Sequence, residues 1–179
     1  MGELEAMAED ALAAWTQDRP SVIGVDTETE GVAFYDRAFC VTVAWKTTGG
    51  EYAAHYIELV DEDHSAVARE ILLGSPTWVF HHAKFDLHKL LLAGVLGRHE
   101  IRTDRIEDTE ALAHLDDEHR RKGLKYLARE LLGDGTDEEA ALKTAMRKAK
   151  LKLEEGYHLL PREVLIPYAK KDPVLTLRL

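Results

Sequence analysis

The sequence predicts an α/β fold, a mixed five-stranded sheet flanked by helices. Three observations predict it. β-branched and aromatic runs crowd the first third of the chain, with a Gly-Gly turn between two of them. Short apolar runs then alternate with stretches of helical periodicity. The last third is almost wholly helical in pattern. Antiparallel strands followed by strand–helix alternation is the order of a mixed sheet with helices on its faces.

The elements follow in sequence. Leu4 to Trp15 carries apolar residues at helical spacing, and Pro20-Ser21 breaks it. Ser21 to Asp26 is a short β-branched run, read as a buried strand. Ala38 to Trp45 is a second strand, Thr47-Thr-Gly-Gly50 a turn, and Glu51 to Leu59 a third strand. Asp63 to Leu73 reads as a helix closed by Gly74-Ser-Pro76. Thr77 to Phe80 is a fourth strand, and Ala83 to Ala93 is a helix ended by Gly94. Arg102 to Ile106 is a candidate fifth strand. Helices are expected over Thr109–Leu115, Leu124–Leu132, Thr136–Glu155 and from Arg162 to the end. Pro173 is expected to bend the last one.

Length and composition bound the rest. A chain of 179 residues, 45% hydrophobic and 31% charged, suggests one globular domain with a real core. No apolar run reaches the length of a membrane span, and the acidic N-terminus does not resemble a signal peptide. The single cysteine, Cys40, lies in a strand-like run and reads as a small buried apolar residue in a reducing, intracellular setting. A net charge of −10 argues against holding duplex DNA by bulk charge, but not against a nuclease. Bound divalent cations reverse the local sign of a carboxylate site.

Four carboxylates and one tyrosine stand out. Asp26 and Glu28 are two apart at the end of a strand, so both face one side. Asp86 follows His82 by four residues at a helix start, where helix capping is the plain alternative. Tyr168 and Asp172 are four apart on one helix face. Converging carboxylates without a basic partner need cations. His81, His82, His88, His114 and His119 match no tight zinc spacing. The dense charges from Glu138 to Glu155 read as a solvated helix with opposite charges three and four apart.

These three clusters occur in the order of one known family. Val-Asp-Thr-Glu-Thr-Glu-Gly around Asp26, His-His-Ala-Lys-Phe-Asp-Leu around Asp86 and Tyr-Ala-Lys-Lys-Asp-Pro-Val-Leu-Thr-Leu from Tyr168 resemble the three acidic motifs of 3′–5′ exonucleases with a tyrosine in the third. The nearest likeness is the proofreading domain of family A DNA polymerases, the DNA polymerase I type of phage and bacteria. Asp108-Thr-Glu-Ala-Leu-Ala-His-Leu resembles the family's Asp-Thr helix start, and Gly123-Leu-Lys-Tyr-Leu-Ala-Arg-Glu-Leu-Leu-Gly133 resembles the helix that follows it. One departure is His82, where the family usually has an asparagine that helps hold the terminal nucleotide.

The resemblance implies a ribonuclease H-like exonuclease fold over residues 1–179, N-terminal to or excised from a longer polymerase chain. It implies two divalent cations, Mg2+ or Mn2+, on Asp26, Glu28, Asp86 and Asp172, with Tyr168 orienting the attacking water. The expected substrate is a single-stranded DNA 3′ end, and the product a nucleoside 5′-monophosphate. Trimming of RNA in the manner of ribonuclease D, and a non-catalytic single-strand or polymerase-docking module, are the alternatives. His82, Phe34 and Tyr35 are the expected substrate contacts, with loop or core packing the alternative for the two aromatics. Lys84 and the Arg120-Arg-Lys122 run are weaker candidates for phosphate contact. The expected partners are DNA and a linked or associated polymerase domain. The chain is expected to be a cytoplasmic monomer with no membrane contact, in the host cytoplasm if phage-encoded.

Overall fold

The computed structural model describes residues 2–134, 137–151 and 156–179. Helix α1 (Gly2–Asp18) leads into β1 (Val22–Thr29), β2 (Ala38–Lys46) and β3 (Tyr52–Glu58). Helix α2 (Glu62–Gly74), β4 (Thr77–Phe80), α3 (Ala83–Leu92) and β5 (Ile106–Asp108) follow, then α4 (Thr109–Asp116), α5 (Leu124–Leu127), α6 (Asp137–Ala149) and α7 (Arg162–Arg178). The five strands form one sheet in the order β3-β2-β1-β4-β5. β1 pairs antiparallel with β2 and parallel with β4, so it is the central strand and the switch between the two halves. β2–β3 is antiparallel and β4–β5 parallel, as the sequence pattern requires.

One face of the sheet is dry. Ile23 and Val25 of β1 join Val41, Val43, Trp45, Trp78 and Phe80 against Trp15 of α1 and Ile71 and Leu72 of α2. The buried indoles keep their hydrogen bonds. Trp15 Nε1 donates to Ser75 Oγ at 3.0 Å, and Trp78 Nε1 donates to the Leu72 carbonyl at 2.7 Å. The β2–β3 turn is closed by Thr47 N donating to the Glu51 carbonyl at 2.7 Å.

Strand alternation turns Gly24, Asp26 and Glu28 to the opposite face, where α7 lies. A Cβ built on Gly24 would stand 2.8 Å from Leu177 Cγ and closer still to the Pro173 carbonyl oxygen, so glycine is what lets α7 sit this low. Ala169 and Ile166, a turn or more earlier, pack on Cys40 and Tyr56 of β2 and β3. At its far end α7 is held by Asp134, which pairs with Lys171 at 2.9 Å and with Arg178.

Several boundaries differ from the sequence reading. β1 runs three residues past Asp26, because Glu28 still pairs with Cys40 before the register shifts at Thr29. The fifth strand begins at Ile106; Thr103–Arg105 is a 3-10 turn. The helix expected over Leu124–Leu132 is one α turn that widens into a π-helical turn over Ala128–Leu132. α6 ends at Ala149, and residues 136 and 152–155 of the expected helix lie outside the described residues. Its buried Leu142 and Met146 pack on Leu160 and Leu165, so one side is core rather than solvated. α7 is continuous through both Pro167 and Pro173. Cys40 is buried and unpaired, as expected.

Candidate active site

The central strand delivers the first two carboxylates. Asp26 is half-buried and Glu28 is 6% exposed, both on the face under α7. Asp86, 3% exposed, enters from the first turn of α3. Its Oδ1 accepts from the Thr27 amide at 3.0 Å and the Thr27 hydroxyl at 2.7 Å. Asp86 is therefore bound to the strand itself rather than capping its own helix. Asp172, 8% exposed, comes down from α7 and pairs with the Lys125 ammonium of α5.

Tyr168 lies one turn before Asp172. Its ring centroid is 4.6 Å from Lys125 Nζ and 5.8 Å from the ring of Tyr157. Burial, then the Glu28 charge, pushes its hydroxyl above the ordinary tyrosine range, so it is a neutral donor at any working pH.

Crowded acids in a dry mouth hold their protons. Burial raises the Asp26 carboxyl to about 7, with the Lys125 ammonium acting in the opposite direction. Glu28 rises well above the usual range through burial and then the charge of Asp26. Asp86 rises for the same two reasons, against its two Thr27 hydrogen bonds. An oxygen-only, acid-rich, buried donor set of this kind fits a hard divalent cation. Among the described residues, no three His, Cys, Asp or Glu side chains are grouped as a ready-made metal cage. Asp86 gives an oxygen to Thr27 and Asp172 gives one to Lys125.

The expected substrate contacts lie on the loop after β1 and at the start of α3. Phe34 and Tyr35 follow β1 and are 76% and 77% exposed, so neither is core. Phe34 lies 4.1 Å, centroid to centroid, from His88 of α3, whose Nε2 is 2.7 Å from the Phe34 carbonyl oxygen. A cavity of about 580 Å³ is lined by Val32, Phe34, His82, Lys84, Phe85 and His88. His82 takes the left-handed conformation (φ 74°, ψ 53°), and its Nδ1 lies 2.7 Å from Glu110 Oε2. Arg120 pairs with Asp116 at 2.7 Å, on the α4 side of the fold.

Three residues have no role of their own assigned from the sequence, although Asp108 and Lys125 lie within the family-like runs. Lys125 reads there only as part of a helical run. Lys89 is buried, and its ammonium donates to the carbonyls of Ala33 and Asp36 at 2.6 and 2.9 Å, tying the Phe34 loop to α3. Asp108 reads only as a helix start. It caps two helices at once, accepting from the amides of His82 and Ala83 and from those of Glu110 and Ala111.

A mixed sheet of this order, with α7 laid across its central strand, defines a ribonuclease H-like nuclease fold. Residues 3–179 match the 3′–5′ exonuclease family associated with DNA polymerase A, and the chain belongs to that family. Among solved structures it is similar to the "POL domain of Pol1 from M. smegmatis complex with DNA primer-template and dNTP", at 20% identity and a TM-score of 0.56. That match covers 88% of this chain and 26% of the other, so this chain spans about a quarter of its neighbour's length. No curated protein matches. Exonuclease domains of this type generally use divalent metal ions. Among the described residues, no helix is long and apolar enough to cross a membrane.

Proposed function

We propose that this domain removes nucleoside 5′-monophosphates from single-stranded DNA 3′ ends by metal-assisted hydrolysis, as the proofreading part of a family A DNA polymerase. What supports it is the membership of the chain in the exonuclease family, with Asp26, Glu28 and Asp86 near enough to raise one another's pKa and Asp172 paired with Lys125, whose charge also acts on Asp26 and Glu28. Two Mg2+ or Mn2+ ions bound there would supply an activated water and stabilise the leaving 3′ oxygen. Asp26, Glu28 and Asp172 would hold the first ion and Asp26 and Asp86 the second. Tyr168, a neutral hydroxyl, would orient the attacking water. Phe34 and Tyr35 would stack on the terminal base, and His82 would hold the terminal nucleotide.

A polymerase region linked to or associated with this chain is part of the same reading, supported by the Pol1 neighbour. So are action as a monomer and a cytoplasmic site. The test is digestion of matched, 5′-labelled DNA and RNA single strands with Mg2+ or Mn2+ and with chelator. The expected result is a 3′-end ladder on DNA that needs metal and disappears in Asp26→Ala. Undiminished digestion by Asp26→Ala overturns the site, and a preference for RNA overturns the proofreading role.

A further inference from the structure

Lys125 occupies an unusual position for a lysine. Its ammonium pairs with Asp172, lies 4.6 Å from the Tyr168 ring centroid, and is close enough to interact with Asp26 and Glu28. The side chain is 18% exposed and that of Asp172 is 11%, so water screens the pair poorly. It comes from α5, a single α turn that runs on into a π-helical turn, whereas Asp172 and Tyr168 come from α7. The carboxylates that would hold a cation are thus already facing one, tethered to a different helix.

We propose that Lys125 is a tethered counter-ion of this site, holding Asp172 and α7 in place until a divalent cation displaces its ammonium. The inference rests on the metal-site reading above. An ammonium and a dication cannot both sit against one carboxylate oxygen, since two cations at about 4 Å repel strongly where water is scarce. Lysine suits the role better than arginine. It is a point charge on a flexible stem, able to leave without breaking a planar two-pronged pair. The π-helical turn after it has a looser hydrogen-bond ladder and can yield as the ammonium withdraws. In the metal-free protein the same ammonium ties Asp172, and with it α7, to α5.

The experiment is a Mn2+ titration by calorimetry, with thermal unfolding in chelator and in saturating Mn2+, on wild type, Lys125→Met and Lys125→Arg. Lys125→Met is expected to bind Mn2+ about ten-fold more tightly or better. It should melt earlier than wild type in chelator and recover most of that loss in Mn2+. Lys125→Arg, which keeps the charge, should keep the metal-free stability and bind Mn2+ no more tightly than wild type. A plain structural ion pair predicts something else: equal destabilisation with and without Mn2+ and unchanged affinity, which overturns the proposal. Unfolding of Lys125→Met that Mn2+ does not reverse also overturns it. If wild type itself binds no Mn2+, the metal-site reading fails first, and the two failures are distinguishable.

Discussion

Gly24→Ala is a one-methyl perturbation whose consequence can be worked from the packing of α7 on β1. The new Cβ would lie 2.8 Å from Leu177 Cγ, against an ordinary contact beginning near 3.4 Å, and closer still to the Pro173 carbonyl. Leu177 can rotate aside, but the Pro173 backbone cannot. The Pro173 oxygen sets the retreat, which must exceed the roughly 0.6 Å by which the longer Leu177 contact falls short of 3.4 Å. Overpacking of this kind costs about 1–3 kcal/mol. The retreat also lifts Asp172, the residue next to Pro173, away from Asp26, which lies two positions along β1. Misplacing a reacting group by 1 Å costs on the order of 100-fold in rate, so a loss of about 10- to 100-fold in kcat is expected. Urea unfolding and single-strand digestion with saturating Mn2+ check the two parts. Wild-type stability together with wild-type kcat would refute the argument that Gly24 sets the height of α7 and hence the site.

Further outcomes follow from the neighbouring contacts. Lys89→Met leaves the Asp36 carbonyl without its donor and the Ala33 carbonyl with only the Asp36 amide, at about 1–3 kcal/mol in urea unfolding. Because it frees the loop carrying Phe34 and Tyr35, KM for single-stranded DNA should rise several-fold while kcat is largely kept. Asp108→Ala removes caps from both α3 and α4 and should cost about 1–3 kcal/mol, more than a single cap, by the same measurement. The pH dependence has a definite sign. Asp26, Glu28 and Asp86 hold protons in the folded protein that the unfolded chain has already released above about pH 4. Their contribution to metal-free stability therefore falls as pH rises from about 4 through about 7, the raised value of Asp26. Urea midpoints at pH 5 and pH 8 in chelator should show Glu28→Gln gaining on wild type at pH 8.

What is legible in the sequence is local or repeated. Alternation in β1 alone places Asp26 and Glu28 on one side, and helical spacing does the same for Tyr168 and Asp172. The three acidic motifs then carry the fold by resemblance. The end of β1 is hard to read because acidic residues after an apolar run look like a strand exit. What keeps Glu28 in the strand is its pairing with Cys40, a partner twelve residues away. Asp86 reads equally well as a helix cap, since its true partner, Thr27, lies on another element. Lys125 gives no sign of its own role for a related reason. A lysine in a helical run is usually a solvated residue, and only the approach of α7 makes it the partner of Asp172. The two prolines of α7 suggest a break in the helix. It nonetheless continues through both, with Pro173 seated against Gly24.

The most direct test of the central claim, that these carboxylates form a catalytic divalent-cation site, is the Mn2+ dependence of nucleotide release from a single-stranded 3′ end by wild type and Glu28→Gln. No release is expected in chelator, 5′-monophosphate release should rise and saturate with Mn2+ in wild type, and the variant should lose at least about 100-fold at any Mn2+ concentration. Release by wild type in chelator, or equal saturating release by Glu28→Gln, would contradict it.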